Sequence, residues 1–243
     1  MIREILFGFL KLRPNGLLKS KLGGTMDRRN LLIVPTRNRP ESALELLHEF
    51  NKTAVMSDIV FGLDDDDVSD YSAEVLERSE RNPRLRMGGT LNLLAVKYAE
   101  KYDYLSFMGD DHRPRTKSWD LRLANMIDEG PGLAYGNDLL QGANLPTAVM
   151  MSASIVEAIG YMVPPVLVHM YMDNFWKDLG TALGSLCYRH DVVIEHMHYL
   201  AGKSTIDAGY KEVNHQSVYE KDEESYRKYT ESQFQKDVRK IQK

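Results

Sequence analysis

The chain has 243 residues, 43% hydrophobic and 27% charged, with Lys plus Arg at 31 against Asp plus Glu at 35, a net charge of −4. That is enough chain for one sizeable domain with appendages, and enough apolar material for a real core. The charge balance gives no global field for nucleic acid, no run approaches the ~20 apolar residues of a membrane span, and the lone Cys187 excludes an intrachain disulfide framework and a multi-cysteine zinc site.

Residues 1–29 read as a basic and apolar extension whose apolar core, Ile5 to Leu10, is soon interrupted by Lys11 and Arg13. No small-residue cleavage site follows, so a signal peptide is not expected. A peripheral amphipathic helix, a partner-docking arm and a disordered leader all fit, and Met26 offers an internal start. Residues 30–200 read as one catalytic-type domain, and 201–243 as a helical tail.

The domain opens with a strand-like run, Asn30 to Val34, stopped by Pro35. After the loop Thr36-Arg37-Asn38-Arg39, Pro40 and Glu41 suit the first turn of a helix over 41–51, with Leu44, Leu46, Leu47 and Phe50 available for burial. A second strand, Asp58 to Leu63, runs into four acids, Asp64 to Asp67. Tyr71–Ser79 reads as helix, Arg84-Leu85-Arg86 as a short extended piece, and Thr90 as the cap of a helix over Leu91–Lys101.

Tyr104-Leu105-Ser106-Phe107-Met108 is an apolar, aromatic run of the kind that forms a buried strand. Gly109 breaks it, and Asp110, Asp111 and His112 follow. Further on come a helix from about Ser118 to Asp128, a short strand at Leu133–Tyr135, an extended Pro146–Ser152 and a short helix over Ser154–Gly160. Then follow a helix over Tyr171–Leu183 and an alternating strand over Asp191–Tyr199. The tail from Glu220 spaces Tyr226, Tyr229, Val238 and Ile241 for a helix that docks one face. Alternating strands and helices predict an α/β domain with a mostly parallel central sheet covered on both faces.

A buried strand ending in acids delivers oxygen ligands to the sheet edge where open α/β folds place their sites, and two acids there suit a hard divalent cation that can hold a diphosphate. Arg37 and Arg39, beside a helix start, suit a phosphate or nucleotide. No Walker pattern or Gly-x-Gly-x-x-Gly is present. The acids after Leu63 repel one another unless a cation or a ligand compensates. Asp173, between large apolar residues, is expected to have a raised pKa useful to a general base. Period two places Ile194, His196 and His198 on one strand face, and two imidazoles plus a carboxylate make a metal set.

This order of sites resembles the GT-A fold glycosyltransferases, particularly the family-two-like group using nucleotide-sugar donors, over about Leu31 to His198. Asp-Asn-x-Trp, Leu-Gly and Ile-Glu-His-x-His also resemble small glycosyltransferases encoded by bacteriophages. The resemblance implies a GT-A-like, Rossmann-like domain. It implies donor contacts from Pro35, Thr36, Arg37, Arg39, Asp64, Asp66, Arg86, Gly89, Asn92 and Asp110. Gly109-Asp110-Asp111 stands where the family has its DxD motif, but with Gly109 in place of the first Asp. Asp111 is thus implied as the metal ligand with His196, the ion being Mn²⁺ or Mg²⁺, and Asp173 as the base of an inverting transfer. Trp119, Asn137, Asp138, Trp176 and His198 are candidate sugar or acceptor contacts.

The function so implied moves a sugar from a nucleotide-diphosphate donor to an acceptor hydroxyl, with no integral membrane segment and a cytoplasmic setting (a host's, if phage-encoded). The acceptor is open between a protein, a glycan, a small molecule and a modified DNA base, and the oligomeric state is open too. Arg113, Arg115 and Lys117 form the local basic cluster that a DNA acceptor would need. Rival readings are a sugar-nucleotide nucleotidyltransferase, a metal phosphohydrolase built on Asp110, Asp111, His112 and the later histidines, and a non-catalytic binding module.

Overall fold

The computed structural model describes residues 28–198, 202 and 215–243, so the N-terminal extension lies outside the described residues except for Arg28 and Arg29. Eight strands form one sheet: β1 (Asn30–Thr36), β2 (Ser57–Asp64), β3 (Ser79–Asn82), β4 (Tyr104–Phe107), β5 (His112–Pro114), β6 (Leu133–Asn137), β7 (Val149–Ser152) and β8 (Leu186–His196). Their spatial order is β3-β2-β1-β4-β7-β6-β8-β5. The β3-β2-β1-β4 half is parallel throughout, whereas β7 runs antiparallel to both β4 and β6, and β5 antiparallel to β8. The α/β sheet is thus mixed, with four of its seven neighbouring pairs parallel, β6–β8 among them.

Strand periodicity explains why β1 reads as an unbroken apolar run. Leu31 and Ile33 enter one core with Leu91, Leu94, Phe175 and Trp176, while Leu32 and Val34 enter the other with Leu46, Leu47, Phe50 and Trp119. With both faces covered, every position of the strand is buried except Pro35, which borders the cleft. Helices α1 (Pro40–Thr53), α2 (Ala73–Leu76) and α4 (Trp119–Ala124) cover one face. Helices α3 (Arg86–Tyr98), α5 (Ala153–Ile159), α6 (Met172–Ala182), α7 (Gln216–Ser232) and α8 (Phe234–Ile241) cover the other.

Three local expectations change. Helix α3 starts at Arg86, so Arg84-Leu85-Arg86 is not extended and Thr90 is a buried residue inside the helix rather than its cap. Its first turn is completed from a distance: the Gly88 N–H donates to the Val168 carbonyl at 3.1 Å, answering one of the N–H groups a helix start leaves open. The helix read over Tyr71–Ser79 shrinks to α2, capped by the Ser72 hydroxyl on the Val75 N–H, and Ser79 joins β3. The tail helix begins earlier, at Gln216, and breaks at Gln233 into α7 and α8, whose Tyr226, Tyr229, Phe234, Val238 and Ile241 are buried in the main core. Among the described residues no helix is long and apolar enough to cross a membrane.

The chain runs outward from β1 through β2 to β3, then returns to place β4 on the other side of β1. The carboxyl ends of β1 and β4 therefore flank a topological switch point, where an open α/β sheet leaves a crevice.

Candidate active site

A cleft of about 380 Å³ opens at this point, within the range of small-molecule sites. Its floor is the junction of β1 and β4: the Thr36 hydroxyl donates to Asp110 Oδ2 at 2.6 Å, and Arg39 Nη1 lies 3.2 Å from Asp110 Oδ1. Burial, with the charge of Asp111, pushes the Asp110 carboxyl up, against the pull of Arg39 and Thr36. On the β2 side Arg37 bridges Asp64 at 2.9 Å and Asp66 at 2.5 Å. Asn38 holds a left-handed φ of 56°, and its N–H donates to Asp67 Oδ2 at 2.9 Å.

After β4 the chain folds back on itself. The His112 N–H donates to the Gly109 carbonyl at 3.0 Å, and the Gly109 N–H donates to His112 Nδ1 at 3.1 Å. A Cβ on Gly109 would meet Asp111 Oδ1 at 2.7 Å and His112 Nδ1 at 3.2 Å. The following carboxylate and imidazole thus occupy the space that a side chain at position 109 would need. Arg113 clamps the same turn, donating to the carbonyls of Asp110 and His112 at 2.7 and 2.8 Å and to Glu45 at 2.7 Å.

Strands β5 and β8 then bring three ligand-type side chains together. His112 and His196 are register partners, and their rings stack at 4.2 Å. Asp111 lies between them, Oδ1 at 3.3 Å from His112 Nδ1 and Oδ2 at 3.5 Å from His196 Nε2. One ligand atom from each of Asp111, His112 and His196 falls within 4.8 Å of the others.

Burial alone would raise Asp111, but the two imidazoles more than offset this and hold it well below the usual carboxylate range. Burial and the His196 charge push His112 down, so it stays a neutral donor. Burial also opposes charging of His196, yet Asp111 wins and raises it. His112 Nε2 and His196 Nδ1 are buried without a hydrogen-bond partner among the described residues. One carboxylate and two imidazoles at this spacing fit a divalent cation.

Across the cleft, Tyr171 takes φ 64° and starts α6, whose first turn carries Asp173 into the lining. Burial pushes the Asp173 carboxyl up to about 6, against the opposing charge of His196. His169, also in the lining, is pushed down to about 4 by burial, against the pull of Asp222 and Asp111, and is neutral.

Of the residues named from the sequence, Pro35, Thr36, Arg37, Arg39, Asp64 and Arg86 line the cleft together with Asp110, Asp111, Asp173, His196 and His198. The others stand elsewhere. Asp66 is exposed and reaches the cleft only through Arg37. Gly89 packs on Leu85, where a Cβ would fall at 2.8 Å. Asn92 accepts from the Met162 and Val163 amides and donates to the Val163 carbonyl, so its amide is consumed in the core. Trp119 is 1% exposed in the core on the other face, and Trp176, fully buried, donates to the Met162 carbonyl at 3.0 Å. Asn137 accepts from the Leu139 N–H, and Asp138 spends its oxygens on three amides of its own loop and the Thr147 hydroxyl.

The basic cluster also dissolves. Arg113 is buried in its clamp, and Arg115 is paired with Glu49 and Glu195. His112 and His169 are the site residues that the reading of motifs left out of its ligand set. The first stood directly behind the acid pair, which was a usable signal; the second carried none.

No family model and no curated protein matches the sequence. Solved structures do. S. aureus TarS is similar at 15% identity and TM-score 0.53 over 68% of this chain, which spans only 36% of the TarS chain. The mannosyltransferase PcManGT from Pyrobaculum calidifontis, in complex with GDP-Man and Mn²⁺, is similar at 12% and 0.53, over 89% of this chain and 74% of that one. Glucosyl-3-phosphoglycerate synthase from Mycobacterium tuberculosis, in complex with Mn²⁺, UDP and phosphoglyceric acid, is similar at 12% and 0.56, over 82% and 78%. The fold is GT-A-like. At these identities the likeness shows the GT-A-like architecture alone.

Proposed function

We propose that this chain is a divalent-cation-dependent glycosyltransferase that takes its sugar from a nucleotide-diphosphate donor. The observation that carries the reading is the Asp111, His112 and His196 cluster, set in one cleft with an arginine-bearing loop and a half-buried carboxylate. The GDP-Man with Mn²⁺ bound in one neighbouring structure and the UDP with Mn²⁺ bound in another support it.

Asp111, His112 and His196 would hold the ion, which when bound neutralises charge on the leaving diphosphate. Arg39 and Arg86 balance the remaining phosphate charge, and Arg37, steadied by Asp64 and Asp66, shapes the nucleotide end. Asp173 is the base. Its carboxylate takes the proton of the acceptor hydroxyl as that oxygen bonds to the anomeric carbon, while the bond to the diphosphate breaks and its electron pair leaves with phosphate. Attack opposite the leaving group inverts the anomeric centre.

A screen of UDP- and GDP-sugars with Mn²⁺, scored by nucleoside diphosphate release and then by acceptor mass shift, tests the reading. Mn²⁺-dependent release that Asp111→Ala abolishes is expected. Release of pyrophosphate would favour a nucleotidyltransferase, and orthophosphate without any acceptor a phosphohydrolase. Full activity in Asp111→Ala would sink the metal assignment.

A further inference from the structure

Helix α7 contributes no side chain to the cleft lining, yet one of its residues reaches the cleft wall from behind. Asp222 is fully buried, and three successive backbone amides converge on its carboxylate: Val168 at 3.1 and 3.2 Å, His169 at 2.8 Å and Met170 at 2.8 Å. Such a run of N–H groups around one anion is a nest, here filled by the protein's own carboxylate. The residues it fixes lead directly into the site. His169, Met170 and Tyr171 line the cleft, and Asp173 follows in the first turn of α6.

The same segment is held from its other side, where the Val168 carbonyl accepts from the Gly88 N–H and the Leu167 carbonyl leaves no room for a Cβ on Gly88. It therefore bridges the starts of α3 and α6. Two residues beside this bridge, Arg86 and Tyr171, both sit at φ 64°, a conformation that L side chains hold only when their surroundings impose it. The Tyr171 ring completes the link, stacking on Tyr226 at 5.6 Å and sharing a hydroxyl hydrogen bond of 2.9 Å with Tyr219, both on α7.

We infer that Asp222 is a positioning residue for transfer: it fixes the 168–170 backbone so that Tyr171 takes its left-handed turn and Asp173 faces the acceptor end of the cleft. Among the described residues, β1, β4 and the β5–β8 pair make no hydrogen bond to this carboxylate, and the link to Arg86 runs only through the Val168–Gly88 backbone bond. The inference rests on the glycosyltransferase reading with Asp173 as base.

The test uses the full chain, wild type and Asp222→Asn, with Mn²⁺ and UDP or GDP as the binding probe and the donor found by the screen for turnover. The expected result is a binding stoichiometry unchanged, nucleoside diphosphate affinity within about twofold, and a kcat per binding site lowered at least tenfold. A merely structural brace would instead lower stoichiometry and activity together, and that outcome overturns the inference, as does an unchanged kcat. A wild type that turns over no donor fails the glycosyltransferase reading itself, and the inference with it. If Asp222→Asn does not fold, Asp222→Glu, which keeps the charge and displaces the oxygens by one methylene, is measured in its place. Hydrogen exchange on the wild type adds an independent check: the 168–170 amides are expected to exchange as slowly as those of α7. Loop-like exchange there would overturn the inference.

Discussion

Four interior carboxylates are held chiefly by backbone amides. Asp67 accepts from Asn38, Ser69 and the Tyr71 hydroxyl; Asp120 from Val55, Met56, Leu121 and the Ser57 hydroxyl; Asp138 and Asp222 from three amides each. In the sequence these acids look no different from Asp111 or Asp173, which is why Asp138 read as a sugar contact. Its oxygens were already committed to a loop whose closure no local pattern announces. Asp138→Ala leaves three amides and a hydroxyl unanswered, and a stability loss on the order of 3 kcal/mol is expected from urea unfolding. Burial pushes Asp138 up, but the amides and Thr147 more than offset it and hold it below its ordinary value. Its contribution is therefore complete above the unfolded carboxylate pKa of ~4 and is lost as pH falls through the lower folded value, so Asp138→Asn should flatten the acid branch of stability against pH. Asp173 works in the opposite sense. Raised to about 6, it would serve in the proposed base role only when ionised, so turnover should fall as pH drops through about 6. Asp173→Asn should remove that limb and cost ~10²–10⁴ in kcat, with nucleoside diphosphate binding little changed.

Elements whose partners are close in sequence or whose pattern is long were legible: β1, β2 and β4 as apolar runs, α1 and α6 as periodic ones. Elements defined by distant partners were not. Strand β5 has three residues and exists because β8 pairs with it. The start of α3 is set by Val168 rather than by a capping side chain, so Thr90 drew the boundary to the wrong place. Gly88 is the position where this matters most, since a Cβ there would meet the Leu167 carbonyl at 2.5 Å and Met172 Cε at 2.9 Å. Backbone cannot step aside as a side chain can. Gly88→Ala should cost ~1–3 kcal/mol, read from the denaturation midpoint.

At the scale of the molecule, the sheet divides two cores, and part of the site was readable because Arg37, Asp64 and Asp110 each lie at the end of one of three parallel strands. The antiparallel placement of β6 and β7 was not, since strand direction leaves no mark on a short apolar run. Helices α7 and α8 belong to the larger core. Burying Tyr226, Tyr229, Phe234, Val238 and Ile241 at ~1.5–3 kcal/mol each is comparable to the whole net stability of a domain. A chain ending before residue 215 should therefore lose its cooperative thermal transition, measured by near-ultraviolet dichroism. The pairing of His112 with His196 carries one more consequence. Side chains in a strand alternate faces, so a slip of β5 by a single residue would turn His112 away and leave Arg113 or Asp111 opposite His196. An occupied site would thus act as a fastener for the shortest strand of the sheet, and the His112 and Arg113 amides should exchange more slowly when Mn²⁺ is added.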